Sequence, residues 1–312
     1  MLQIIARRLL VSIPLLFFVS MLTFFLVTLT PGDPAIVILG QNRAPEEYAA
    51  LREQLGLNEP VLTRYGYWLR DLSTGSLGVS IFNMEPVTTV LKNRSGATFS
   101  LVIVTTIVTS VLGVALGMGS ALQKGLLAKI VDLLSLLGLA LPNFWLALVL
   151  VAIFSIGLHW FPAIGYVSPK TSVIDWLRSL ALPVTVLSAP AIGIVAQQTR
   201  NAMLEILERP FIRTLRAGGV RWHSIIFRHA LRNAAVSIIT LVGLTFVGLL
   251  SGTVIAETVF ALPGLGGLVV QATTRHDLPV IQGIVLYFTV IVVVVNLLVD
   301  IIYAWLNPRI RL

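Results

Sequence analysis

Six arginines, Arg209, Arg213, Arg216, Arg221, Arg228 and Arg232, fall within the 26 residues from Arg209 to Ala234, which contain no acid; Arg200, just upstream, is a seventh. Such a cluster can hold an anion, grip a nucleic-acid backbone, anchor a membrane surface, or meet the acidic rim of a protein groove. Its punctuation is informative. Pro210 suits the first position of a short helix and Gly218-Gly219 the position just past its end. Between them Phe211, Ile212 and Leu215 gather on one side and Arg213 and Arg216 on another. Beyond the glycines, Trp222, Ile225, Ile226 and Ala230 recur at helical spacing, with Arg221, Arg228 and Arg232 offset. The pattern predicts two short helices joined by a sharp turn. Three uses compete: an interfacial loop that anchors topology, a DNA-binding helix-turn-helix, and a knob that enters a groove on a partner. The second is disfavoured because both ends run into apolar spans.

Other chemistries lack their residues. A phosphate-binding P-loop needs a glycine directly before its lysine. The four lysines, Lys92, Lys124, Lys129 and Lys170, follow Leu, Gln, Ala and Pro. His159, His223, His229 and His276 have no metal-ligand spacing, and no Gly-x-Ser-x-Gly turn occurs. "LPGLGG" (Leu262–Gly267) has no strand before it, as a dinucleotide loop requires. Carboxylates that could couple an ion gradient at the membrane midplane are also missing: Asp132 and Asp300 sit near span ends and Glu257 at the outer boundary. No catalytic, cofactor or metal site is expected in this chain.

The elements that carry the basic stretch are spans of lipid-compatible sequence. Of 312 residues 56% are hydrophobic and 12% charged. Uncharged runs near 9–30, 97–122, 133–157, 179–199, 234–256 and 281–305 predict six membrane helices, the fourth containing Pro183 and Pro190. The first run is too long for a secretory signal core and is read as a retained anchor. Six spans put both termini on one side. Thirteen of the 22 Lys and Arg residues lie there, including Arg7, Arg8, the loop near Lys124 and Lys129, the basic stretch and the terminal "NPRIRL". The positive-inside bias makes that side, and both termini, cytoplasmic. The net charge of +8 is thereby explained by loops facing anionic lipid, and no nucleic-acid partner is expected. The expected division is 1–30, tail and first span; 31–96, an extracytoplasmic helical segment; and 97–312, an all-α core with its cytoplasmic loop at about 201–233. With no cysteine, disulfides are excluded.

"FIRTLRAGGVRWHSIIFRHALRNA" resembles the cytoplasmic signature loop of ABC-importer permeases, in the form found in the dipeptide/oligopeptide (and nickel) permease family. Ile212, Arg213, Thr214, Arg216, Ala217 and Gly219 match that form, as do Arg228, His229, Ala230, Leu231, Arg232, Asn233 and Ala234. The sequence departs at Leu215 for alanine, Gly218 for lysine and Ser237 for proline. The likeness extends through "PGDPA" (Pro31–Ala35), "LGLNEPVLTRYGYWLRDLSTGSLGVS", Pro86-Val87, "ETVFALPGLGGLV" (Glu257–Val269), "PVIQG" (Pro279–Gly283) and "NLLVDIIYAWLNPRIRL". The family's Arg-Leu-Pro-Ala-Thr before the second span is Arg94-Ser95-Gly96-Ala97-Thr98 here. The resemblance implies that Phe211, Ile212, Arg213, Thr214, Leu215, Arg216, Ala217, Gly218 and Gly219 form a coupling helix seated in a cleft of a separate ATPase subunit. It implies a second permease, two ATPase subunits or domains that carry ATP and Mg, an extracytoplasmic substrate-binding protein, and residence in a bacterial or archaeal cytoplasmic membrane.

Two further regions complete the expectation. "PEEYAALREQLGL" and "RYGYWLRDL" read as a small outer helical cap, with Tyr48, Leu51 and Leu55, then Tyr65, Trp68, Leu69 and Leu72, as its apolar positions and aromatics at headgroup level. By resemblance this segment docks the binding protein, and the outer loop with Glu257, Pro263, Gly264 and Gly266 forms a gate or contact beside it. Glu257 either pairs locally or touches substrate. Asn143, Gln197, Gln198, Thr245, Ser251 and Thr253 are the polar candidates for lining a path, and interhelical hydrogen bonding is their blander use. The expected substrate is a di- to oligopeptide. Nickel or another small solute is the alternative, and a membrane scaffold for an ATPase is the alternative of another class.

Overall fold

Apolar runs too long for any soluble domain set the architecture. The structure, a computed structural model, describes residues 2–123 and 125–306. Among them five helices are long and apolar enough to cross a membrane. They lie within α1 (Leu2–Leu29), α5 (Val87–Leu122), α8 (Val173–Glu208), the run Trp222–Val259, and α13 (Leu278–Leu306). Lys124 and the stretch Asn307–Leu312, both used in the charge count, lie outside the described residues.

The third expected span is not one helix. Residues 133–157 fall on α6 (Leu126–Ala140) and α7 (Asn143–Leu150), the latter continuing as a π-helical segment, Val151–Gly157. The break is at Leu141-Pro142, where Pro142 is the extended N-cap of α7. Proline has no N–H for the preceding turn and disfavours helical backbone at the residue before it, so α6 must stop there. The fourth expected span holds despite Pro183 and Pro190, both internal to the 36-residue α8. Ser172 caps that helix by accepting from Asp175 N at 3.2 Å.

Cα proximity separates two units. One comprises Phe99–Leu262 and the chain from Val295; the other Leu2–Thr98 and Pro263–Val294. In the first, α5 and α6 press against α8 where side chains vanish. A Cβ on Gly113 would come within 2.7 Å of Val195, one on Gly138 within 2.6 Å of Pro190 Cα, and one on Gly117 would strike the Ala196 carbonyl. Such small-residue contacts are how helices associate where lipid supplies no hydrophobic drive. An ion pair, Arg200 to Asp132 at 3.2 Å, joins α8 to α6.

In the second unit, Val87, Val90 and Leu91 pack with Leu265, Leu268 and Ala272 of α12 (Leu265–Thr274) and with Val280, Ile281 and Ile284 of α13. The outer helices α2 (Pro34–Leu39), α3 (Pro45–Gln54) and α4 (Val61–Ser73) precede α5. In the "TPGDP" stretch, Asp33 accepts from Ala35 N at 2.9 Å and Pro34 opens α2. The aromatics of α4 depart from expectation. Tyr65 and Trp68 are buried rather than presented to headgroups, Tyr65 lying edge-on to Phe24 of α1 at 5.3 Å and sharing a 2.9 Å hydrogen bond with Ser20. An apolar partner inside the chain outcompetes the interface.

Candidate functional site

The basic stretch forms a small projecting helix with defined ends. Arg209 is extended because Pro210 follows, and this stops α8. Pro210 then opens α9 (Pro210–Ala217) with a φ already suited to helix and no donor to orphan. The far end is a Schellman cap. Gly219 takes φ +77°, its N–H donates to the Arg216 carbonyl at 3.0 Å, and Val220 N–H reaches back to the Leu215 carbonyl at 3.1 Å. Gly219 is thus needed for its backbone, not for space, since nothing lies within 4 Å of where its Cβ would be.

The side chains of α9 divide differently from expectation. Ile212 is turned into the chain and is 1% exposed, while Phe211, Arg213, Thr214, Arg216, Ala217, Gly218 and Gly219 are exposed and Leu215 is half-buried. The apolar face that the sequence offered to a partner is therefore partly used at home, and the outward surface is Phe211 with polar and cationic neighbours. Arg216 stacks on the Trp222 ring at 4.0 Å and so braces the Gly-Gly turn. Arg209 pairs with Glu205 at 2.7 Å, a contact between exposed groups that contributes only about 0.3–0.5 kcal/mol. Arg213 makes no ion pair among the described residues.

Beyond the turn, the second short helix of the sequence reading is instead the start of a long one. α10 (Trp222–Ser224) passes through a π-helical segment, Ile225–Ala230, into α11 (Leu231–Val259). The π segment turns Ile225, Ile226 and Ala230 inward. Ile226, Ala230, Ala234 and Ile238 then form one core with Met118 and Ala121 of α5 and Ala202, Met203 and Ile206 of α8. Both roots of α9 are fixed in the same membrane-helix core.

The other candidate residues are dispersed. Asn143 opens α7 and is half-buried; Gln197 and Gln198 are exposed on α8; Thr245 is half-buried and Ser251 exposed on α11. Thr253 is fully buried and its hydroxyl donates to the Leu250 carbonyl at 2.8 Å. Glu257 is buried within α11, and its backbone carbonyl accepts from Leu262 N at 2.9 Å. Pro263 is exposed, whereas Gly264, the extended N-cap of α12, and Gly266 are buried.

Sequence reasoning missed a clasp at the head of α13. Ser80 Oγ donates to Asp277 Oδ2 at 2.5 Å and Ile81 N to Oδ1 at 3.4 Å. Burial pushes the Asp277 carboxyl above its ordinary range, while these hydrogen bonds and Arg275 act the other way. It also missed Arg200–Asp132, although opposite charges at the ends of two otherwise uncharged spans were a readable sign of pairing.

A helical membrane subunit with a knob rooted between spans is the class this geometry defines. Residues 110–312 match the family described as the binding-protein-dependent transport system inner membrane component, and residues 1–102 its N-terminal region. The chain belongs to this family of ABC-importer permeases. It is 42% identical over 312 residues to a putative peptide transport system permease protein of Brucella abortus (strain 2308), covering 100% of this chain and 99% of that one. It is 37% identical over 333 residues to a di/tripeptide transport system permease of Pseudomonas aeruginosa (100% and 99% covered) and 36% identical over 313 residues to an oligopeptide transport system permease of Bacillus subtilis (98% of each). Among solved structures, an inward-facing MetNI methionine ABC transporter matches 70% of this chain and 97% of its own chain, with a TM-score of 0.54 at 17% identity. That likeness concerns the fold.

Proposed function

We propose that this chain is the peptide-translocating permease subunit of an ABC importer, and that α9 is its coupling helix. One observation carries the reading: an eight-residue helix, closed by Pro210 and the Gly219 cap, projects exposed Phe211, Arg213, Thr214 and Ala217 from a root packed among α5, α8 and α11. A closing ATPase pair that holds this surface would move the membrane helices beneath it. ATP and Mg belong to those partner ATPase subunits or domains. The peptide assignment is supported by the names of the relatives at 36–42% identity; none of the three reported is named for nickel.

In this arrangement the termini and α9 are cytoplasmic, as the charge bias requires. A second, similar permease completes the path. Gln197, Gln198 and Ser251, polar and uncovered by this chain, are the best placed of the candidate liners; Asn143 and Thr245 are more recessed, and Thr253 is engaged within its own helix. The outer helices α2–α4, and the gate residues Glu257, Pro263, Gly264 and Gly266, serve the substrate-binding protein.

The test is uptake of labelled di-, tri- and oligopeptides, in a host cleared of other peptide importers, with this chain, without it, and with Gly219→Asp. Uptake that depends on the chain and is lost in the variant, with membrane insertion retained, supports the reading. Chain-independent uptake overturns the peptide assignment, and ATP hydrolysis that ignores added substrate and binding protein favours a scaffold.

A further inference from the structure

Beside the root of α9 lies a cleft of about 930 Å³ whose chemistry the coupling role does not use. Arg209 and Glu205 come from the end of α8, and Arg228, His229 and Arg232 from the start of the helix that follows α9. Ala202, Ile206, Ala234 and Val236 line it where it meets the helix core. Glu205 is already engaged by Arg209 at 2.7 Å. Arg228 and Arg232, four residues apart, have no ion-pair partner among the described residues, so three guanidinium groups line the cavity against the one carboxylate of Glu205.

We propose that this cleft binds an anionic phospholipid, with its phosphodiester on Arg228 and Arg232 and Arg209 at the edge. Guanidinium forks match phosphate oxygens bidentately. Basic pockets between membrane helices on the cytoplasmic side are suited to lipid headgroups, and the bound anion removes the Arg228–Arg232 repulsion. A lipid is favoured over free phosphate by two features. The cleft is far larger than one phosphate, and it lies where the 38-residue apolar run Trp222–Val259 begins, so a headgroup in the cleft leaves its acyl chains beside a membrane helix. Such a lipid would bridge the two roots of α9. The site rests on the cytoplasmic placement of the hairpin given above, but its occupancy does not depend on peptide transport.

The experiment is native mass spectrometry of the whole transporter complex, purified from nanodiscs holding phosphatidylglycerol and phosphatidylcholine in equal amounts. Wild type is expected to retain phosphatidylglycerol, and Arg228→Gln/Arg232→Gln to retain at least tenfold less with phosphatidylcholine unchanged. Arg228→Lys/Arg232→Lys keeps the charge and should recover part of the retention; Arg70→Gln, on the outer helix α4, should alter nothing. Equal loss of both lipids, or none, overturns the proposal. Displacement of the lipid by millimolar inorganic phosphate also overturns it, in favour of a free-phosphate site. Gly219→Asp separates the two readings: it should lose uptake while keeping the lipid, and a wild type without bound lipid leaves the transport reading standing.

Discussion

α8 and α13 are both long, apolar and free of mid-span charge, yet the chain treats them oppositely. Two thirds of the apolar window of α8 (67%) is buried by the rest of the protein, whereas 6% of that of α13 is. α8 is specified along its length by glycine contacts from α5 and α6 and by the Arg200–Asp132 pair. α13 is held chiefly at its head, where Asp277 takes Ser80, Gln282 donates to the Ser20 carbonyl at 2.7 Å, and Gly283 admits Val87. Beyond the head, α13 meets α11 through Val299 on Gly243 and buries Ala304, while Val290, Val294, Leu298 and Ile302 are exposed. Composition alone therefore says that a helix belongs in a membrane, while burial says which helix organises its own chain and which leaves its surface to lipid or another subunit.

The contrast can be broken by substitution. Gly117→Leu should have the largest effect: its Cβ meets the Ala196 backbone, which has no flexible end to give, so a cost of about 3 kcal/mol or more is expected, seen as loss of folded protein in detergent thermal melts. Gly219→Ala in the cap of α9, the knob that follows α8, should cost only about 1 kcal/mol of backbone strain, with insertion intact and substrate-stimulated ATP hydrolysis reduced severalfold. At the head of α13, Asp277 is held more readily protonated than in the unfolded chain. Its contribution to stability is therefore greatest below the ordinary carboxylate range and is lost as pH rises through its raised pKa. Asp277→Asn should flatten that slope in melting curves taken from pH 4 upward. The smallest effect belongs to Leu298→Ala on the exposed face of α13, within about 0.5 kcal/mol for the isolated chain; a larger loss in the assembled complex would show that the face is a subunit contact.

What the sequence made legible was whatever a local rule governs. Pro210 and Gly219 announced both ends of α9, and long uncharged runs announced the spans. What stayed hidden was decided by partners far away in the chain. Ile212 reads as outward-facing because a short amphipathic helix does not reveal which neighbour claims its apolar side. Tyr65 and Trp68 suit a headgroup region as well as they suit Phe24. The π-helical segment Ile225–Ala230 shifts the register inward through packing with α5 and α8, and no residue type marks it. Pro142 was the exception: its break was readable, but a strong hydropathy signal on both sides concealed it. The path candidates were chosen by polarity alone, which cannot separate Thr253, satisfied within its helix, from Gln197 and Gln198, left uncovered.

The length of α8 has a mechanical consequence. At 36 residues it is a rod of about 54 Å, with the knob at one end and Ser172 at the other. By simple geometry, a tilt of about 5° about one end displaces the other by about 5 Å along the same rod. Pro183 and Pro190 are the places where such a rod would flex and waste its stroke. The seating of Gly138 on the Pro190 backbone is a splint at one of those joints. Thickening that glycine would leave the knob and its cap unaltered, yet change how far a push at one end travels to the other.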